Sequence, residues 1–176
     1  SHGRALSFCL TDGEDRPCST FVEGQTLRLY VHCRIWEPTQ IPISSITIWS
    51  DKGMPICGKS TAFYDMPFPP PIGSPSDVFV RHEITLNLAE GEYSISFGIG
   101  EITDDVCRNR HVASFEDWNI SSTRLLNISE LTCFSIVLPA LRNPSRILHF
   151  GLVDLPSSGE INILPTDPVF SETGKN

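Results

Sequence analysis

The chain has 176 residues, with 13 basic and 21 acidic side chains, a net charge of −8 and a pI near 5.0. That length fits one domain with its own core, and 40% hydrophobic with 19% charged residues is ordinary globular composition. No apolar run approaches the ~18 residues of a membrane span, and the acidic balance argues against nucleic acid, whose phosphates need clustered Lys and Arg.

In chain order, Ser1-His2-Gly3 reads as a tag remnant. A single domain is expected over residues 4–165, with a polar, flexible tail at 166–176. Residues 5–10 form a first strand candidate. Over 25–36, Leu27, Leu29, Val31, Cys33 and Ile35 share one face of a strand. Arg28, Tyr30, His32, Arg34 and Trp36 share the other. Further strands are expected at 43–49 and 55–63, with Asp51-Lys52-Gly53 as the turn between them. Five residues from Pro67 to Pro71, four of them Pro, followed by Gly73-Ser74-Pro75, predict an irregular connection over 65–76. Residues 79–88 alternate Val80, His82, Ile84, Leu86 and Leu88 against Phe79, Arg81, Glu83, Thr85 and Asn87. After the turn at Glu90-Gly91, residues Tyr93, Ile95, Phe97 and Ile99 point inward, with Glu92, Ser94, Ser96 and Gly98 outward. Residues 103–130 break this rhythm as an irregular excursion, with a short helical turn capped by Ser114 or Ser121. Two strands, 131–138 and 146–153, and the segment Ile161-Asn162-Ile163 follow. Many short strands, frequent turns and no βαβ rhythm give an all-β class, an antiparallel β-sandwich of jelly-roll or immunoglobulin-like type.

Catalytic constellations are not apparent. G-x-S-x-G and a Gly-rich phosphate loop are both missing from the sequence. His82-Glu83 has no second His four residues on, and it falls in a strand pattern. His32, His82, His111 and His149 are scattered, without the tight His/Glu cluster of a cupin-type metal site. No metal or other cofactor is therefore expected. The six cysteines, at 9, 18, 33, 57, 107 and 133, show no C-x2-C spacing and read as reduced thiols, with Cys33 in the core.

Binding has better support. A solvated strand face usually carries Lys, Glu and Ser. Arg28, Tyr30, His32, Arg34 and Trp36 instead offer planar rings and fork-shaped donors. Such rings cover the C–H faces of sugars, while Arg and His bond the hydroxyls. Arg81 and Glu83 join them if their strand is a neighbour. The competing reading covers this face with the 103–130 excursion or a second subunit. Trp49 and Trp118 are read as packing residues.

Three segments carry a family resemblance. Phe21-Val22-Glu23-Gly24-Gln25-Thr26-Leu27-Arg28-Leu29-Tyr30-Val31 resembles the F-x-x-G-(E/D/Q)-x-L-x-L-x-V strand of the Wzt C-terminal domain family. Pro42 to Gly53 with Ile56-Cys57-Gly58-Lys59-Ser60-Thr61 is similar to its P-x-x-x-I-x-I-x-D-x-x-G-x-x-V-x-G-x-N-T segment. Leu88-Ala89-Glu90-Gly91-Glu92-Tyr93-Ser94-Ile95 matches its L-x-x-G-x-Y-x-L hairpin, and Asp117-Trp118 echoes a later pair. The resemblance covers residues 4–102 and fades beyond them.

This resemblance implies a jelly-roll-like domain at the C-terminus of the ATPase subunit of a polysaccharide ABC exporter. It implies a cytoplasmic bacterial location, an O-antigen-like polysaccharide as ligand, and dimerisation by strand exchange. An ATPase, glycosyltransferase or methyltransferase domain would accompany it in the full protein. A non-catalytic glycan-binding domain is therefore expected, with Arg28, Tyr30, His32, Arg34, Trp36, Arg81 and Glu83 as contacts. The acidic balance favours neutral sugars. The alternative is a structural, dimerising sandwich without glycan binding.

Overall fold

Strand alternation builds two facing sheets in the computed structural model, which describes residues 2–64 and 67–138. The smaller sheet has the order β1-β3-β6, with β1 (Gly3–Thr11), β3 (Thr26–Ile35) and β6 (Ser76–Thr85). The larger has the order β2-β8-β7-β4-β5. Its strands are β2 (Thr20–Val22), β4 (Pro42–Ser50), β5 (Pro55–Ser60), β7 (Gly91–Ile102) and β8 (Ser122–Val137). The phases expected for β3 and β7 hold: Leu27, Leu29, Val31, Cys33 and Ile35 are buried, as are Tyr93, Ile95, Phe97 and Ile99. They meet Ile46, Ile48, Phe134 and Ile136 in one core cluster, with Phe21 and Phe134 packed edge to face at 5.8 Å.

The chain changes sheets between β2 and β3. Gly24 takes φ +83° there, a left-handed conformation that costs other residues dearly. Its N–H donates to Leu86 O at 2.8 Å, while Glu23 N–H donates to Val137 O at 3.0 Å. β2 is thus a separate short strand, pairing parallel with the end of β8. All the other strand pairs are antiparallel among the described residues.

Three expectations are corrected and a fourth, the helix cap, is narrowed to one of its two residues. The 55–63 strand ends at Ser60, whose hydroxyl accepts from Ala62 N–H and caps a 3-10 turn at Thr61–Phe63. The excursion is shorter than 103–130, holding α1 (Asp104–Arg108) and α2 (Phe115–Ser121). Of the two proposed caps, Ser114 is the one used, in a reciprocal capping box with Asp117. The closing strand starts at Ser122, nine residues before the expected 131. Its register against β7 shifts twice, so Leu125 and Leu126 are both buried and strict alternation is lost.

His2 and Gly3 join the sheets. His2 N–H donates to Leu125 O at 3.0 Å, and Gly3 opposes Ile35 in β1. The expected strand at 146–153, the segment 161–163, the tail, the domain end at 165 and His149 lie outside the described residues. No helix among the described residues is long and apolar enough to cross a membrane.

Candidate functional site

β3 is the central strand of the small sheet, so its outer residues are flanked on both sides. Register sets Arg28 opposite Glu83, Tyr30 opposite Arg81, His32 opposite Phe79 and Arg34 opposite Asp77. All the expected contacts on β3 and β6 therefore share one face. Trp36 sits just past the end of β3, 42% exposed, with its N–H donating to His2 O.

These groups are tied to one another. Arg28 Nε donates to Glu83 at 2.7 Å, and its Nη1 donates to Asp15 at 2.9 Å. Tyr30 Oη also donates to Asp15, at 2.7 Å. Asp15 has φ 60°, an uncommon conformation that an Asp tolerates better than most residues. The Tyr30 and Arg28 hydrogen bonds hold its carboxyl below the usual range, and the Asp15 carboxylate pushes the Tyr30 phenol up. Arg34 grips Asp77 through two nitrogens, at 2.7 and 3.0 Å, and lowers its pKa. His32 Nε2 is 3.5 Å from Asp77, long for a hydrogen bond, and its ring stacks on Phe79 at 4.2 Å. Phe79 is 76% exposed. A cleft of 210 Å³ opens here, lined by Ser7, Cys9, Tyr30, His32 and Phe79 among others. It is smaller than the ~300 Å³ lower bound of drug-sized pockets, a scale suited to one ring.

The excursion does not cover this face. Trp118 of α2 packs edge to face on Phe63 at 5.4 Å and borders the outer side of the large sheet instead. A groove of 540 Å³ runs there, floored by Ser45, Thr47, Gly98 and Gly100 and bordered by Trp118 and Arg124. It continues past Asn127 to Trp49, whose Nε1–H donates to Ser96 Oγ at 2.9 Å. Sequence reading found the outward small residues of β7 but not this groove. Its Trp118 wall comes from α2, and its Arg124 edge comes from the irregular half of β8.

Between the sheets, Ser44 Oγ and His82 Nε2 are 2.8 Å apart, both buried. Burial lowers the His82 pKa to about 4, so the ring is neutral. Among the described residues, no group of three or more His, Cys, Asp or Glu is placed to hold a metal ion. All six cysteines are free thiols, and burial raises the Cys33 pKa to about 11.

No curated protein sequence matches the chain. Of solved structures, the crystal structure of the C-terminal domain of Wzt aligns over 92% of this chain and 84% of its own, with TM-score 0.65 and 12% identity. At that identity the likeness shows the fold, a β-sandwich. Weaker likenesses carry no argument. They are to the Pseudomonas fluorescens alkylpurine DNA glycosylase AlkC bound to abasic-site DNA and a Pyrococcus furiosus CARDB domain with di-metal ions. The first has TM-score 0.42 and 10% identity over 77% of this chain and 30% of that one. The second has 0.35 and 11% over 78% and 96%. The model of the Wzt C-terminal domain family matches residues 2–123, which include all three sequence motifs and the β3–β6 face. The chain belongs to the Wzt C-terminal domain family.

Proposed function

We propose that this chain is a non-catalytic glycan-binding domain that recognises an O-antigen-like polysaccharide. Its family is that of a domain of polysaccharide ABC exporter ATPase subunits. On this reading the domain works in the bacterial cytoplasm beside an ATPase or glycosyltransferase domain and selects the polymer. The observation that carries the reading is family membership. The outer face of β3 and β6 supports it further. Tyr30, the His32–Phe79 stack and Trp36 supply ring surfaces. Arg28, Arg34, Arg81 and Glu83 supply polar groups beside them. The ion pairs on this face are solvent-exposed and weak, so sugar hydroxyls can compete for their donors.

The test is a titration of the protein with full-length O-polysaccharide, with Tyr30→Ala and Trp36→Ala alongside. Saturable binding that both variants lose supports the function and this face. Binding that survives both keeps the function and moves the contact elsewhere.

A structural, dimerising role is the second reading, favoured by one observation. Phe79, which borders the cleft on the small sheet, is 76% exposed, and a second subunit would cover it. A mass that rises with concentration, with no glycan response, would support this reading over the first.

A further inference from the structure

The sandwich is open at one corner. A cavity of 510 Å³ lies between β4 and β6, under the connection that holds Pro67, Pro69, Pro70 and Pro71. Residues 76–81 line it without a gap, in both phases of β6, so it runs along the edge of that strand that faces away from β3. Proline has no N–H, so this connection cannot pair with the β6 edge as a strand. Six residues of strand span about 17 Å, which gives the cavity a mean section of about 30 Å², a trough for one aliphatic chain. Val78 and Val80 point inward in phase with His82, yet they are only half-buried, because this space stands over them. Ile72 and Ile99 add apolar wall. The charged lining residues, Asp77 and Arg81, belong to the outward phase that opposes Arg34 and Tyr30, so the interior carries no charge. One buried polar group in the wall has a hydrogen to give. Ser44 is 5% exposed, and its hydroxyl makes one hydrogen bond among the described residues, with His82 Nε2. His82 Nδ1 is buried with no partner there. A buried N–H without an acceptor is rarer than a bare acceptor. Nδ1 is therefore the bare nitrogen, Nε2–H donates to Ser44 Oγ, and the Ser44 O–H is left to donate into the trough.

We propose that this trough binds a neutral acyl chain, its methylenes laid along Val78 and Val80 and its carbonyl oxygen on the Ser44 hydroxyl. The site lies between the sheets, behind the outer face of β3 and β6, and does not depend on the glycan reading. Its volume falls in the range of roughly 300–1,000 Å³ typical of small-molecule sites, which combine apolar walls with a few polar groups that fix orientation. An aliphatic chain releases the water that these walls would otherwise hold, which is the driving force. The Ser44 O–H supplies the orientation, since it needs an acceptor and a carbonyl is one. A free carboxylate does not fit as the acceptor. No cation lies inside to pair with it, and the chain already carries a net charge of −8.

The experiment titrates the whole chain with soluble ketones, 2-butanone to 2-decanone, as probes of the acyl class, and follows Ile72, Val78 and Val80 methyl signals by NMR. The expected result is saturable binding that tightens about fourfold with each methylene until the trough is full. 2-Hexanone should bind about fivefold tighter than hexane, the share of the Ser44 hydrogen bond. Ser44→Ala should bring the ketone down to the affinity of hexane and leave hexane unchanged. Val78→Phe fills the trough from its own wall, so it should abolish binding of both with Tm held or raised. The same variant should leave any response to O-polysaccharide in place. Nitrogen shifts of the His82 ring should show the proton on Nε2. Four results overturn the proposal: no saturable binding, affinity that does not grow with chain length, binding that survives Val78→Phe, or a His82 proton on Nδ1 with ketone bound. Contacts in the free protein from Val78 and Val80 methyls to residues beyond 138 also overturn it, since the chain itself would then occupy the trough. None of these outcomes bears on glycan binding, which the polysaccharide titration tests separately.

Discussion

His82 makes a stability prediction that depends on no ligand. It is 1% exposed, faces inward from β6, and meets Ser44 Oγ at 2.8 Å and the Phe97 ring at 6.4 Å. Burial alone accounts for its lowered pKa, about 4 against 6.5 for a free His. The folded state therefore resists protonation in the window where the unfolded chain accepts it. Above pH 6.5 both states are neutral and the residue has no pH-dependent effect. As pH falls through 6.5 toward 4, the unfolded state gains a proton first and stability drops. The loss works out at about 2 kcal/mol at pH 5 and about 3 kcal/mol at pH 4. That is a large share of a typical 5–15 kcal/mol. Urea denaturation between pH 7 and 4.5 measures it. With a slope near 2 kcal/mol/M, the midpoint at pH 5 should lie about 1 M below that at pH 7. His82→Gln removes the proton site and should flatten this part of the profile. An unchanged profile in His82→Gln, or an NMR titration placing His82 at 6.5 or above, would refute the reasoning.

Two further outcomes are expected. A Cβ on Gly100 would sit 2.8 Å from the Thr123 carbonyl oxygen, a backbone atom that cannot move aside cheaply. Gly100→Val should cost about 1–3 kcal/mol, lowering Tm by several degrees in thermal melts. Gly58→Ala, whose Cβ would meet only Thr47 Oγ1 at 3.7 Å, is its mild control. Asp15→Ala removes the carboxylate that raises the Tyr30 phenol, so Tyr30 should titrate at lower pH. Alkaline absorbance titration reads this directly, and an unchanged Tyr30 curve means that the bond is not held in solution.

How much of this was legible follows strand regularity. β3 and β6 pair without a register shift over ten positions, and their faces could be read residue by residue. That regularity also brought Arg81 and Glu83 beside Tyr30 and Arg28, as their shared phase required. What one strand could not reveal was Asp15, a loop residue that engages Arg28 and Tyr30 from outside the sheet. β2 was hidden for another reason. Three residues are too few to show a period, and its partner β8 is more than a hundred positions away. Trp118 read as packing, and it does pack on Phe63. Its place beside the groove depends on where α2 comes to rest, which local pattern does not encode.

The irregularity that concealed the first half of β8 is also what builds the groove. On a regular strand, residues three apart point to opposite faces. Arg124 and Asn127 are three apart, yet they oppose Gly100 and Gly98, which share the outer face of β7. The extra residue is Leu125, which is buried beside Leu126 and lets both polar neighbours lie on the groove side. The facing glycines keep that side low, since a side chain at Gly98 would meet Ser45 Oγ at 3.1 Å and one at Gly100 the Thr123 backbone. Without the bulge, one of Arg124 and Asn127 would turn toward the core and the other alone would remain outside. The signal lost to alternation is therefore a shaping device. A break in period next to outward glycines marks where a sheet can present two polar side chains above a bare floor.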